Sequence, residues 1–567
     1  PAALARALPT RAISLPLMAS MAPHALAFDR ALRDPRRAQE QALRRITREV
    51  PALRGVDVLA DLRSLPFTSY DDVSAAIDGM ASASPQDASA RTRLTRAPVI
   101  RFERSGGSSG AQKLLPMTRP FLAEMNRALE PWLFSLYASI PGVSSGSAYW
   151  SISPIGAGPR ATPSGIPIGA DGDSSYLPSF ARAFVDRILA VPDSLAHLTD
   201  VDDSRYATLR LLLDRDDLAL ISVWSPTYLT RLLAALDDNC ERLLHDLERG
   251  TCSLEARFAP VVAGWPLRAA PARAQHLRAI ARERPLTARD LWPKLALLSM
   301  WTHASSARFV AEARARFLGV PLQPKGLLAV EGVVSVPWPD SNDNDGAGAL
   351  AIRSHVLEFV DDSGRAHGAH EIERGRVYEV VLTTSAGLVR YRLGDLVRVV
   401  GAAHATPRVE FLGRAGLVSD LVGEKLSAAF VATVIDDVAR AFPVLARARF
   451  AMLAPRTPGS PGAPHYRLYL ELAPRDACGA SAASDARSFI ARAVELALRA
   501  GHPYAYARDL RQLGPVDVVA VERAAERYER ACLLRGQRAG DIKHTPLHRS
   551  DDWDHAFHVE LVACSPP

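Results

Sequence analysis

The sequence predicts an α/β protein of two unequal domains: a large N-terminal domain with mixed sheets, helices and a small β-meander, then a smaller, mobile α+β C-terminal domain. Three observations carry that prediction. At 567 residues the chain exceeds the roughly 250 to 300 residues at which a single hydrophobic core stops growing. Between Pro192 and Arg316 long helical patterns are broken by two apolar, strand-like runs, LALISVWSPTYL from Leu218 and LWPKLALLSMWTHA from Leu291, and strands alternating with helices mark an α/β core. After Gly413 the pattern shifts to helix, strand pair, helix, strand, helix, which places the domains at 1–415 and 416–567.

The elements follow in order. Asp34-Pro35 is a helix start, because Asp accepts N-terminal amides and Pro suits the first helical position. Ala38, Ala42, Ile46 and Val50 recur behind it, so an amphipathic helix opens the fold. The preceding RAISLPLMASMAPHALA has the Arg and apolar run of a secretory leader, but two prolines interrupt the run, and a cytoplasmic protein is expected. APVIRFER, from Ala97, reads as a short strand ending at glycines, with helix resuming from about Pro120. GLLAVEGVVSVPW, from Gly326, reads as strand, turn, strand. RVYEVVLTTSAGLVRYRLGDLVRVVG, from Arg376, reads as a three-strand meander with turns at Ser385-Ala386-Gly387 and Gly394-Asp395. In the smaller unit, helices are expected over 428–441 and 483–500, and strands over 448–453, 466–472 and 516–521.

Composition narrows the function classes. Hydrophobic residues at 48% and charged residues at 23% are ordinary for a globular chain, and no apolar run suggests a membrane span. Five scattered cysteines, without a CxxC pair, argue against a zinc site or a disulfide framework and for a reducing compartment. The net charge of +6 comes mostly from Arg dispersed on helix-like segments, a solvated surface that suits an anionic small substrate and no nucleic acid. DSNDNDG, from Asp340, imitates a calcium loop. With Gly346 sixth, however, Ile352 stands twelfth, where a Glu is required.

The stretch that decides the chemistry is RFERSGGSSGAQKLLPMT, from Arg101. Gly106, Gly107 and Gly110 let backbone amides turn toward a phosphate, Ser105, Ser108 and Ser109 add hydroxyl donors, and Lys113 supplies positive charge. A flexible linker would run longer and would not abut an apolar strand. The GxxxxGK[ST] phosphate loop fails on spacing, since three residues separate Gly106 from Gly110 and Leu114 follows Lys113.

Ser105 to Lys113 resembles the phosphate signature of the adenylate-forming enzymes, with Gln112 departing from the usual Pro or Glu. Further motifs follow in that family's order. LLAVEGVVS resembles the segment whose Glu holds magnesium on ATP, a role that maps onto Glu331. Val330 stands where a hydroxyl residue is usual, and Leu327 where an aromatic stacks on adenine. YRLGDLVRV resembles the ribose motif, which makes Asp395 the acceptor of two vicinal hydroxyls, as an ionised carboxylate suits. FLGRAGLVSDLVGEK resembles the hinge segment, with Arg414 on the ribose and phosphate side. RGQRAGDIKHTPLHR places Lys543 as the lysine that a swinging C-terminal domain brings to the reacting phosphate.

In detail the chain resembles the bacterial form of the Gretchen Hagen, or auxin-responsive promoter, family of acyl acid amido synthetases, from about Phe28 to Leu547. That resemblance implies an enzyme that uses ATP and Mg2+ to convert a carboxylic acid to acyl-AMP and passes the acyl group to an amine of an amino acid; a monomer is the default expectation. Tyr176, Trp224, Tyr228, Trp301 and His303 are the candidate acyl-pocket walls, and His303 is also a candidate base toward the amine. Two alternatives remain at this level: an acid-CoA ligase of the same superfamily, and a weak nucleotide- or acyl-binding protein.

Overall fold

The computed structural model describes residues 10–82, 94–104, 113–140, 142–152, 160–169, 187–303, 306–339, 346–415, 418–457, 463–472, 480–537 and 542–559. The expectations placed on Ser105, Gly106, Gly107, Ser108, Ser109, Gly110 and Tyr176, and on most of the DSNDNDG segment, lie outside the described residues.

Helix α1 (Thr10–Leu32) comes before the helix expected to open the fold, α2 (Pro35–Glu49). Pro16 and Pro23 sit inside α1 without ending it. Leu17, Met21, Ala25, Phe28 and Leu32 form its buried stripe, and burial at about 1.5 to 3 kcal/mol per large apolar side chain outweighs the lost backbone bonds. α2 starts as its sequence dictates, with the Asp34 carboxylate accepting the Arg37 amide and Ala38, Ala42 and Ile46 buried.

Strands β1 (Val99–Arg104) and β2 (Leu114–Thr118) pair antiparallel, with Arg104 opposite Leu114, so the glycine-rich stretch joins two strands that are themselves hydrogen-bonded. Thr118 then accepts the Phe121 amide as N-cap of α3 (Arg119–Ser139). Next comes an all-parallel sheet of β3 (Ser147–Trp150), β4 (Leu218–Ser222), β5 (Leu297–Met300) and β6 (Leu322–Pro324), in that order. One face shares a core with α4 (Val201–Leu213) and α5 (Pro226–Asp238) through Tyr149, Ile221, Leu298 and Met300. The other face shares a core with α3 through Ala148, Leu220 and Leu297.

A hairpin of β7 (Leu328–Ala329) and β8 (Gly332–Val333) leads to β9 (Ser335–Val336). β9 forms the edge of a seven-stranded antiparallel sheet with β10 (Gly348–Leu350), β11 (Val356–Val360), β12 (Ala366–Gly368), β13 (Val377–Thr383), β14 (Tyr391–Ala403) and β15 (Thr406–Arg414), ordered β12-β11-β13-β14-β15-β10-β9. The expected turn at Gly394-Asp395 is corrected, because β14 runs through both residues. Arg392 pairs with Val381 and Leu396 with Glu379, so three residues of β14 face one of β13, a bulge that the positive φ of Gly394 (+77°) permits. The meander's third strand is therefore β15.

A short ladder of β16 (Val418–Ser419) and β17 (Leu426–Ser427) precedes the smaller unit. There α6 (Ala428–Ala441), β18 (Phe450–Arg456), β19 (His465–Glu471), α7 (Ala480–Leu498), β20 (Asp517–Ala520) and α8 (Ala524–Leu534) follow the expected order. β19 pairs antiparallel with β18 and parallel with β20. Its two cores draw on Leu426 and later residues, whereas the three cores of the larger part end at Val409. Between the parts, Arg205 of α4 and Arg231 of α5 face Glu529 of α8, and the His544 ring lies 4.7 Å from that of Phe309. Among the described residues no helix is long and apolar enough to cross a membrane.

Candidate active site

The hairpin that follows the parallel sheet presents Val330 and Glu331 as its two turn residues, since Ala329 pairs with Gly332. Gly332 is required by a close approach: a Cβ there would stand 2.9 Å from the His355 ring. Glu331 is thereby held buried. Asp395, at the bulge of β14, lies directly opposite Arg414 of β15, and the Arg414 Nε donates to Asp395 Oδ1 at 3.1 Å. Asp395 falls on the buried side of β14, in alternation with Tyr391, Leu393 and Val397.

These groups share one electrostatic environment. Burial raises the Glu331 carboxyl above its usual range, opposed by Arg414 and Lys113 and reinforced by Asp395. Burial likewise raises Asp395, opposed by Arg414 and by Lys543 of the smaller unit. Arg414 is desolvated too, yet the two carboxylates hold its guanidinium charged more firmly than usual. Tyr391, which sequence reasoning passed over although it begins the YRLGD motif, joins the group: burial and the Glu331 charge push its phenol well above the ordinary range. Lys113 stands at the entrance to β2 with its Nζ 4.9 Å from the Tyr70 ring centroid. The Lys543 Nζ stands 3.9 Å from the Trp301 centroid. Segments far apart in the chain thus converge on two carboxylates, a guanidinium and two lysines.

The remaining candidates divide. Trp224 and Trp301 meet with ring centroids 5.3 Å apart, and His303 borders Gly346, where an added Cβ would lie 3.0 Å from its ring. Tyr228 is corrected: it lies on α5, not in a strand, and its hydroxyl bonds that of Tyr149 at 2.8 Å inside the core. Burial leaves it a packing residue. Leu327 and Val330 are half-buried and pack against the main core, and the Leu327 amide donates to Ser335 Oγ at 3.0 Å. Among the described residues no cluster of three or more His, Cys, Asp or Glu side chains could ligate a metal unaided.

Residues 27–322 match the model of the GH3 family N-terminal domain, and residues 348–414 that of the GH3 family central domain. Indole-3-acetic acid-amido synthetase GH3.4 of Arabidopsis thaliana is 22% identical over 459 residues, covering 76% of this chain and 74% of its own length. GH3.2 of the same plant, also an indole-3-acetic acid-amido synthetase, is 23% identical over 447 residues, covering 73% of this chain and 78% of its own. Among solved structures, the AtGH3.15 acyl acid amido synthetase in complex with 2,4-DB superposes with a TM-score of 0.79 at 20% identity, covering 94% of this chain and 95% of that one.

Proposed function

The chain belongs to the GH3 family, and from that membership and the charges gathered at the site we propose that it joins a carboxylic acid to an amine through an acyl-adenylate. In the first half-reaction a carboxylate oxygen attacks the α-phosphorus of ATP, the bond to the bridging oxygen breaks, and pyrophosphate leaves. In the second, the amine of an amino acid attacks the acyl carbon, the bond to AMP breaks, and the amine gives up one proton, for which His303 is the candidate acceptor. The relatives are named as amido synthetases acting on indole-3-acetic acid and on acyl acids, which supports this chemistry.

The observation that carries the reading is the meeting of the buried Glu331 and Asp395 with Arg414, Lys113 and Lys543 in one electrostatic environment. Each has a task that its chemistry suits. Asp395, an acceptor once ionised, receives the two ribose hydroxyls, and Arg414 holds it in place and faces the phosphates. Ser105, Gly106, Gly107, Ser108, Ser109 and Gly110, with Lys113, cradle the phosphates. Magnesium is ordinarily held by one or two carboxylates plus substrate phosphates, and the desolvated Glu331 fits that pattern; when bound, the ion would share the phosphate charge. The smaller domain, 416–567, acts as a lid that brings Lys543 to the charge developing on the α-phosphate. We further propose that the chain works as a monomer in the cytoplasm.

Acid-dependent exchange of labelled pyrophosphate into ATP tests the proposal. Exchange is expected with at least one of a panel of aryl, indolyl and aliphatic acids, and Lys543→Ala should depress it strongly. Absence of exchange with the whole panel would end the reading. Product mass with amino acids and with CoA separates amide synthesis from thioester synthesis.

A further inference from the structure

One face of the parallel sheet departs from what such sheets contain. Strands buried on both faces are normally continuous apolar runs. Here Trp150, Ser222, Ser299 and Gln323 are successive register partners across β3, β4, β5 and β6, a polar row on one face. Gln323 Oε1 accepts from Trp132 Nε1 of α3 at 3.1 Å, which places the row under that helix. Ser299 Oγ and Trp150 Nε1 are buried and have no hydrogen-bond partner among the described residues, and Ser299 is 0% exposed. Buried polar atoms left unmatched in a folded protein point to a ligand that matches them.

Two residues further on, at the C-terminal ends of the strands, stand Trp224, Trp301 and Lys325, the edge at which open parallel sheets bind ligands. Lys325 is 5% exposed. Its Nζ donates to Ser222 Oγ at 2.7 Å and lies 4.4 Å from the Trp224 centroid and 5.0 Å from that of Trp132. Trp301 packs against Trp224 at a tilt of 42° and carries Lys543 on its ring. The two indoles thus separate the lysine of the nucleotide site from a second, buried lysine.

We propose that this face holds the acyl acid, its ring against Trp224 and Trp301 and its far end at Lys325, so that the preferred substrate is an aromatic acid carrying a second anionic group. The proposal rests on the acyl-activation reading above and names the substrate class for it. The carboxylate to be activated lies toward Lys543; Ser299 and Trp150 donate to the distal group beside Lys325. A buried ammonium favours an anion over a neutral ring edge because a charge-assisted hydrogen bond is stronger where water is excluded.

The test compares phenylacetic acid with 4-carboxyphenylacetic acid in acid-dependent pyrophosphate release. The diacid should give a kcat/KM about ten-fold higher or more, the size of one charge-assisted hydrogen bond. Lys325→Met should abolish that preference, and Lys325→Arg should keep it. Equal values for the two acids, or a preference that survives Lys325→Met, overturns the proposal; should the Met variant not fold, the wild-type comparison decides alone. If neither acid releases pyrophosphate, the activation reading is left to the full panel of acids, and thermal melting tests the pocket separately. Stabilisation of the wild type by the diacid but not by the monoacid supports the site, and no stabilisation overturns it.

Discussion

Replacing Glu529 by Gln should separate the two half-reactions. Glu529 is held between Arg205 and Arg231 of the larger part, with side-chain exposures of 10%, 13% and 25% for the three groups. Gln keeps the size and removes the charge. Breaking one partner of a well-buried ion pair costs about 3 to 5 kcal/mol, because the other charge is left unmatched. Two features lower that figure here. Burial already pushes the Glu529 carboxyl above its usual range despite both guanidiniums, and Arg231 retains contact with water. A cost of about 2 kcal/mol is reasonable, a shift of roughly 30-fold in the ratio of docked to undocked smaller domain.

This docked arrangement is the one that sets Lys543 beside Asp395. With Lys543 in the role proposed above, pyrophosphate exchange should therefore fall by up to the same factor. Transfer from acyl-AMP supplied ready-made should hold steady or rise. Small-angle scattering should report a larger radius of gyration for the variant. Equal losses in both half-reactions, or no loss in either, would refute the argument and reduce these contacts to surface decoration.

Val330→Ser restores a hydroxyl at the turn beside Glu331 and should raise kcat/KM for ATP about ten-fold, the lower end of a charged hydrogen bond at roughly 1.5 to 3 kcal/mol; an unchanged value would show that the site binds phosphate by another route. Trp301→Leu removes the ring beneath Lys543, a contact of about 0.5 to 2 kcal/mol, and should slow pyrophosphate exchange some 3- to 30-fold while melting stays close to the parent. Glu331→Gln should abolish exchange yet stabilise the unliganded protein near neutral pH by about 1 kcal/mol. The sign follows from burial: the folded carboxyl titrates above its unfolded value of 4.5, so the unfolded chain releases its proton first and stability falls as pH rises through that interval. The variant's advantage should vanish below pH 4.5 in calorimetry; an advantage independent of pH would assign it to packing.

Much of this fold could be read before any coordinates. α2 and α6 begin at a polar N-cap that accepts an early amide, and β4 and β5 are short apolar runs. Local rules suffice where the local signal and the packing agree. They failed in α1, where two prolines argue against a helix and packing against α3 and Trp338 outweighs them. They failed again at Gly394, whose sequence context suits a tight turn equally well. Whether a glycine with positive φ ends a strand or bulges it depends on the neighbouring strand, here a β13 long enough to pair on both sides of the irregularity.

The site shows the same division between what one segment records and what several must meet to make. Glu331, Asp395, Arg414 and Lys543 each lie in a stretch whose residue order is informative by itself. The polar row of Trp150, Ser222, Ser299 and Gln323 is not, because each strand contributes one residue and the register that aligns them exists only once four strands have paired. Lys325 reads as an ordinary lysine after a proline until β6 is seen to end beneath two indoles. On the proposed reading the motif residues meet ATP, whichever acid is activated. Substrate choice should therefore depend on residues that carry no motif, and the most informative substitutions here are those at Lys325 and Ser299.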